Sequence, residues 1–282
     1  QAYQLLDTLI KTHPDNPKSF SIYGDFLSRD KKDSLAIKMY YNSLKLDSSK
    51  YLVWEQLLYC ESSLNLYDSI AKHSEQAKNI FPVHPFPYLI NGYANYKLKN
   101  YEAAISALNN GIKYAFANND ILLQFYTYLG DIYNTVKKYK ESDEAYENAL
   151  KIDPNNVYIL NNYSYYLSVR KENLDKASDM AIKANKLSPE NPAYQDTYGW
   201  ILFQQGKYDE AKKWVEKAIK NGGDNDFDIL EHYGDILYNI GKIDEAVEYW
   251  QKAFDKSTER NDKCIHILKE KIKEKKYIEC NQ

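Results

Sequence analysis

One pattern constrains this chain more than any other: a short motif that returns at a nearly fixed interval. TYGWILFQQGKYDEA (197–211), HYGDILYNIGKIDEA (232–246) and IYGDFLSRDKKDSLA (22–36) each place an Ala twelve residues after a Gly, with apolar residues between them at helical spacing. Self-similarity at such a period outranks composition as a fold signal, because each repeat is one supersecondary unit. Gly24, Leu58 and Gly92 follow one another at intervals of 34 residues, Gly130 and Ser164 likewise, and Ser164, Gly199 and Gly234 at 35. Between Gly92 and Gly130 the interval widens to 38.

Within one cycle two amphipathic stretches flank a polar turn such as QQGKYDE or NIGKIDE. The second stretch stops at a Pro or Gly-rich break: KIDPNN (151–156), KLSPEN (186–191) and KNGGDN (220–225). Glycine inside a helix costs about 1 kcal/mol relative to alanine, so its recurrence implies that a second helix approaches closely there. The Ala twelve residues later is expected to face it. Each cycle is then an antiparallel helix pair that cannot bury its apolar face without neighbours.

These markers resemble the tetratricopeptide repeat, whose pattern runs large residue, Leu-Gly, Tyr, Ala, aromatic, Pro. The fourth cycle carries it in Tyr126, Leu129, Gly130, Tyr133, Tyr146, Ala149 and Pro154, with Ser142 in place of the first Ala. The last two cycles carry it in Tyr198, Gly199, Leu202, Ala211 and Ala218, and in Tyr233, Gly234, Leu237, Ala246, Trp250 and Ala253. The second departs, with Leu58 where Gly is expected, although Trp54, Ala77 and Pro82 keep register. The Lys/Asn/Tyr/Ile-rich usage is similar to that of bacterial, Bacteroidetes-like members. The resemblance implies an all-α, right-handed α-solenoid of about seven repeats with a C-terminal capping helix.

The expected divisions are 17–50, 51–84, an extended 85–122, 123–156, 157–191, 192–226 and 227–260. Residues 1–16 read as the second helix of an upstream repeat, and 261–282 as the cap, with Ile265, Leu268 and Ile272 on its apolar stripe. A basic amphipathic helix of that kind can also meet membranes or acidic partners. The four extra residues near 114–125 imply either a locally longer helix or a shifted face.

Composition excludes more than it assigns. Of 282 residues 44% are hydrophobic and 27% charged, and the net charge of -3 leaves no nucleic-acid footprint. Three cysteines, Cys60, Cys264 and Cys280, are an odd number without a CxxC, so no disulfide framework is implied. Cys60 reads as inert core. The five histidines fall in no metal-binding spacing, and no phosphate loop, dinucleotide fingerprint or GxSxG elbow is present. NGGDNDFD (221–228) lacks the calcium-loop spacing and reads as a turn, and the glycosylation acceptor at Asn162 falls mid-helix. No catalytic residue, metal or cofactor is expected, and the chain reads as no enzyme.

A ligand would meet the first helix of each pair, the concave side of such arrays. Residues three before, one after and four after the Gly position share one face. That face supplies Tyr59, Tyr93, Tyr96, Asp131, Asn161, Tyr165, Asp196, Trp200, Glu231, Asp235 and Tyr238, and no Lys or Arg occupies its positions. Carboxylates with aromatics suit an extended protein or peptide ligand, basic or apolar. The face lacks the basic residues with which related co-chaperones hold acidic chaperone tails. The alternatives are a self-assembling structural array, or the substrate-recruiting part of a larger protein. The compartment stays open between a periplasmic or outer-membrane-anchored bacterial protein and a cytoplasmic one.

Overall fold

Three-residue turns between helices govern the architecture. The computed structural model describes residues 2–257 and 263–280. Among them the chain forms sixteen α-helices, one 3-10 turn and no strand. They group into two compact units, 1–152 and 153–282.

In the first unit α1 (Ala2–Thr12) precedes four helix pairs. These are α2 (Pro17–Arg29) with α3 (Asp33–Leu46), α4 (Tyr51–Ser63) with α5 (Tyr67–Ile80), α6 (Pro85–Lys97) with α7 (Tyr101–Ile112), and α8 (Asn119–Thr135) with α9 (Tyr139–Ile152). The second unit contains α10 (Val157–Arg170) with α11 (Leu174–Leu187), α12 (Pro192–Gln204) with α13 (Tyr208–Lys220), and α14 (Phe227–Asn239) with α15 (Ile243–Asp255), then α16 (Lys263–Glu274). The extra residues near 114–125 lengthen α8 to 17 residues, and its start at Asn119 puts the division expected at 122/123 inside a helix.

The turn within each pair is built from one backbone conformation. Lys31, Asn65, Lys99, Lys137, Lys171, Gly206 and Gly241 all have positive φ, and each lies seven residues after the Gly position. The following amide donates back across the turn, as from Lys32 N to Leu27 O, Lys138 N to Tyr133 O and Lys242 N to Leu237 O, which satisfies carbonyls the helix end would orphan. Glycine fits this left-handed position without penalty at 206 and 241; the lysines adopt it at a cost. Between Ser164 and Ala177 the extra residue extends α10 to Arg170, the turn keeps three residues, and Asn173 supplies a second left-handed φ. The expected breaks between pairs start the next helix: the Asn16 and Asn191 side chains accept amide hydrogens ahead of Pro17 and Pro192. The acidic 221–228 segment forms a turn in which Asp226 caps α14.

The recurring small residue is explained by contact, but not with the partner expected. A β-carbon added to Gly24 would meet Tyr40, one on Gly92 Leu108, on Gly130 Tyr146, on Gly199 Val215 and on Gly234 Trp250. The opposing side chain in each case is sixteen residues on, not twelve. The residues twelve on (Ala36, Ala104, Ser142, Ala211, Ala246) are fully buried beside this contact, and Ser142 donates its hydroxyl hydrogen to Gly130 O at 2.8 Å.

Gly130→Ala and Gly234→Ala are therefore expected to destabilise by about 1–3 kcal/mol through overpacking, although alanine is the better helix former by about 1 kcal/mol. Lys99→Gly is expected to stabilise by up to ~1 kcal/mol by relieving the left-handed turn. Urea melts followed by circular dichroism measure both signs; a stabilised Gly130→Ala would mean that the helix contact does not limit the packing.

Candidate functional site

The positions expected to face a ligand divide into carboxylates engaged in packing and aromatics that contact other rings. Asp25, Asp131 and Asp235 stand one residue after the Gly, and each accepts a hydrogen bond from the ring opposite. Tyr40 Oη donates to Asp25 at 2.9 Å, Tyr146 Oη to Asp131 at 2.5 Å, and Trp250 Nε1 to Asp235 at 2.8 Å. Where the position after the small residue is Tyr59, Tyr93, Tyr165 or Trp200, the residue sixteen past the small one is Ser74, Leu108, Met180 or Val215, none of which carries a ring donor. Asp131 and Asp235 are thus partners of the helix-pair contact, not open groove carboxylates. The pairing was readable in the sequence as Gly-Asp answered by a Tyr or Trp fifteen residues after the Asp.

In the first unit the remaining positions form an aromatic series. Tyr59 on α4 is 53% exposed, and its ring lies 5.0 Å from Phe86 of α6. Tyr93 sits between Tyr67 (5.9 Å) and Tyr128 of α8 (5.5 Å); burial first, then its hydrogen bond with Tyr67, pushes its hydroxyl up to about 12. Tyr96 packs on Tyr101 at 6.2 Å. Lys97 Nζ lies 5.6 Å and 5.9 Å from the Tyr93 and Tyr96 ring centres, so a lysine of the chain already attends these rings.

The second unit gathers Asp196, Trp200, Glu231, Asp235 and Tyr238 around His232, Lys271 and Trp250, while Asn161 and Tyr165 are engaged on α10 itself. Trp200 stacks on Phe203 at 4.7 Å and on His232 at 4.0 Å, and His232 Nδ1 lies 2.8 Å from Asp196 Oδ2. Glu231 and Asp235 meet Lys271 of α16: its ammonium donates to Glu231 Oε1 at 2.8 Å and to Asp235 Oδ1 and Oδ2 at 2.8 and 2.9 Å. Tyr238 packs near Trp250 (5.9 Å) and Tyr277 (6.5 Å). Asn161 is buried, its amide donating to Asn162 Oδ1 at 3.4 Å, and Tyr165 packs against Tyr166 at 6.1 Å.

The expectation of a face without cations is corrected by Lys271, which is 1% exposed. Burial alone would lower its pKa; the Asp235 and Glu231 charges outweigh that and hold it above the ordinary lysine value. Burial likewise raises the Asp235 carboxyl to about 6 against the opposing pull of Lys271. Helix register does not single it out: Lys271 follows Leu268 by three residues, but Lys269 follows Ile265 by four, so both border the apolar stripe, and the structure buries Lys271 while leaving Lys269 exposed. A disulfide between Cys264 and Cys280, sixteen residues apart, also departs from the sequence reading. Cys60 remains a buried free thiol, raised by burial to about 11. Among the described residues no group of three or more His, Cys, Asp or Glu is arranged to hold a metal ion, and no helix is long and apolar enough to cross a membrane.

His232 gives the cluster a pH dependence. Burial works to lower its pKa, but the Asp196 charge and hydrogen bond, with Asp228 and Glu231, override it and raise the value to about 9 from 6.5. A folded-state value above the unfolded one stabilises the fold below about pH 6.5, and that contribution is lost as pH rises through about 9. The expected loss is on the order of 2–3 kcal/mol between pH 6.5 and 9.5. Denaturant melts at both pH values check it; Asp196→Asn should shrink the difference to a fraction, and an unchanged difference would assign it to other groups.

Comparison with known proteins agrees with this architecture. The family model described as tetratricopeptide repeat matches residues 1–259. A tetratricopeptide repeat-containing protein of Pseudomonas aeruginosa is 28% identical over 160 residues, covering 56% of this chain and 26% of that protein. The type IV pilus assembly protein PilF of the same organism is 30% identical over 94 residues, covering 33% of this chain and 37% of PilF. The chain thus spans about a quarter to about a third of the length of these relatives. Among solved structures, a tetratricopeptide repeat protein from Parabacteroides merdae superposes with a TM-score of 0.68 at 13% identity, covering 92% of this chain and 98% of that one. YrrB, described as having an unusual peptide-binding site, superposes with a TM-score of 0.53 at 19% identity, covering 72% of this chain and 99% of YrrB. At these identities the likeness concerns the fold.

Proposed function

Because the chain belongs to the tetratricopeptide repeat family, we propose that it is a non-catalytic scaffold whose first-helix faces hold an extended protein segment bearing lysine or apolar side chains. Family members are protein-interaction scaffolds, and the fold alone leaves the ligand open. The observation that carries the reading is the environment of Lys271. Its ammonium is held by Glu231 and Asp235, with Nζ 5.8 Å from the Trp250 ring centre and 5.4 Å from that of Tyr277. Carboxylates combined with ring faces are the chemistry that recognises an amine. The face that holds this lysine belongs to the first helix of its pair, the position from which Tyr59, Tyr93 and Tyr165 also project.

In the first unit, Tyr59 offers an exposed ring beside Phe86, suited to an apolar or cationic side chain. Nucleic acid does not fit, since a phosphate backbone requires clustered basic side chains. The description of YrrB as a peptide-binding protein agrees with the same use of the fold. The role of PilF in type IV pilus assembly is consistent with a scaffold for other proteins.

Two fluorescein-labelled decapeptides test this, one alternating Lys with Phe and one alternating Glu with Phe. Anisotropy titrations should show the Lys peptide binding at least tenfold tighter, with affinity falling as salt rises. Tyr59→Ala should weaken it several-fold while circular dichroism stays unchanged. Equal affinity for the Glu peptide, or no effect of this substitution, would refute the reading.

A further inference from the structure

The C-terminal segment does more than cover the last helix pair. Besides packing on α15, it contacts several side chains that the repeat register assigns to a ligand. Lys271 engages Glu231 and Asp235, three before and one after Gly234. Tyr277 packs on Tyr238, four after Gly234, and on Phe203, four after Gly199, with ring centres 6.5 and 5.9 Å apart. Glu279 Oε1 reaches Lys171 Nζ at the end of α10 at 2.6 Å. Residues 263–280 therefore reach first-helix positions of two consecutive pairs, on α12 and α14, and the turn that follows α10.

The way this segment is held differs from the way the repeats hold each other. Ile265 and Leu268 join the apolar core around Trp250, as a cap requires. Ile272 packs against the same core, and the rest is held by ions and rings: a buried ammonium, Tyr277 against two aromatics, and an ion pair at the tip. The turn between helix and tail passes through Lys275 at φ 49°, a left-handed conformation that disfavours a non-glycine residue. The Cys264–Cys280 bridge closes this hairpin on itself and makes no link to the helices beneath. Its effect is to keep the tail folded against α16, so that Tyr277 and Glu279 stay in place.

We propose that residues 263–280 are an internal ligand: the disulfide-closed hairpin occupies the lysine seat of Glu231 and Asp235, and opening the bridge admits an external amphipathic helix that presents a lysine to the same seat. This rests on the reading of the first-helix face as a ligand surface and adds its regulation. Opening is a two-electron reduction. A dithiol reductant delivers two electrons and two protons, the sulfur–sulfur bond breaks to give the Cys264 and Cys280 thiols, and the reductant leaves as its own disulfide. Closing a loop of about sixteen residues restricts the open chain by an amount equivalent to on the order of a hundredfold in population. Reduction therefore shifts the competition toward an external ligand by up to that factor.

The test uses the full chain and a fluorescein-labelled peptide copying residues 263–280 with both cysteines replaced by serine. Anisotropy titrations compare the oxidised protein, the protein treated with a dithiol, and the C264S/C280S variant. The probe should bind the reduced and double-serine forms at least tenfold tighter than the oxidised form. A probe carrying Lys271→Glu should bind none of them. Equal affinity for oxidised and reduced protein, or no binding to a reduced protein of unchanged helicity, overturns the proposal. Loss of helicity on reduction also overturns it, since the hairpin would then be an integral part of the last repeat. If the lysine decapeptide still binds in a manner that Tyr59→Ala weakens, the groove reading stands and only the internal ligand falls.

Discussion

Everything in this chain follows from how closely two helices of a pair approach, and that distance is set at one crossing point. A small residue on one helix of the pair receives a larger side chain from the other, at positions sixteen residues apart. Gly24, Gly130 and Gly234 receive Tyr40, Tyr146 and Trp250; Gly92 and Gly199 receive the smaller Leu108 and Val215. The second pair inverts the arrangement: Leu58 occupies the glycine position, and Ser74 stands opposite, both fully buried. A large residue has been exchanged across the interface for a small one, which preserves the packing that a simple Gly-to-Leu change would destroy. The apparent defect in the motif is a compensated site.

The same crossing decides which polar residues remain available to a partner. When the crossing residue is Tyr or Trp, its polar hydrogen is taken out of water and must be satisfied. The Asp one residue past the glycine supplies the acceptor in all three such pairs. Where the crossing residue is aliphatic, Met or Ser, the next position carries Tyr or Trp instead, and Tyr59, Tyr93 and Trp200 meet rings of the following first helix. Whether that position is acidic or aromatic therefore has a packing reason. The Asp residues answer the demand of the ring opposite, and the aromatics occupy positions where that demand is absent.

This explains how far the sequence could be read. Helix pairs, their turns and the small-residue crossing are local or periodic, so Gly206, Pro154 and Ala211 announce them. The lengthened α8 followed from four added residues, which amount to about one helical turn. The fate of Glu231, Asp235 and Asp196 was not local. A carboxylate on an exposed-looking helix face reads as solvent-facing until the element that covers it is known. For Asp196 the partner is His232 of α14, and for Glu231 and Asp235 it is Lys271 of α16. The sequence marked that helix as a cap, but Lys269 and Lys271 both border its apolar stripe, so which lysine faces inward was not legible. The disulfide was hidden for an arithmetic reason: three cysteines forbid full pairing but do not forbid one pair, and no spacing rule selects which.

Lys271 is also informative for what a leucine at that position would do differently. Buried ion pairs contribute little net stability against an apolar alternative, because desolvation offsets most of the Coulomb attraction. Two carboxylates facing one ammonium, with Asp235 raised to about 6 by burial, are not an economical way to seal the end of a repeat array. An aliphatic side chain would seal it more firmly and would be indifferent to what it met. A lysine between Glu231 and Asp235 instead makes the seat selective: apolar segments leave two charges uncompensated, acidic ones add a third, and a lysine satisfies all three groups at once. Selectivity at modest net stability is the property expected of a recognition site. The chain's own C-terminal segment shows that the first-helix face can hold a side chain of that kind.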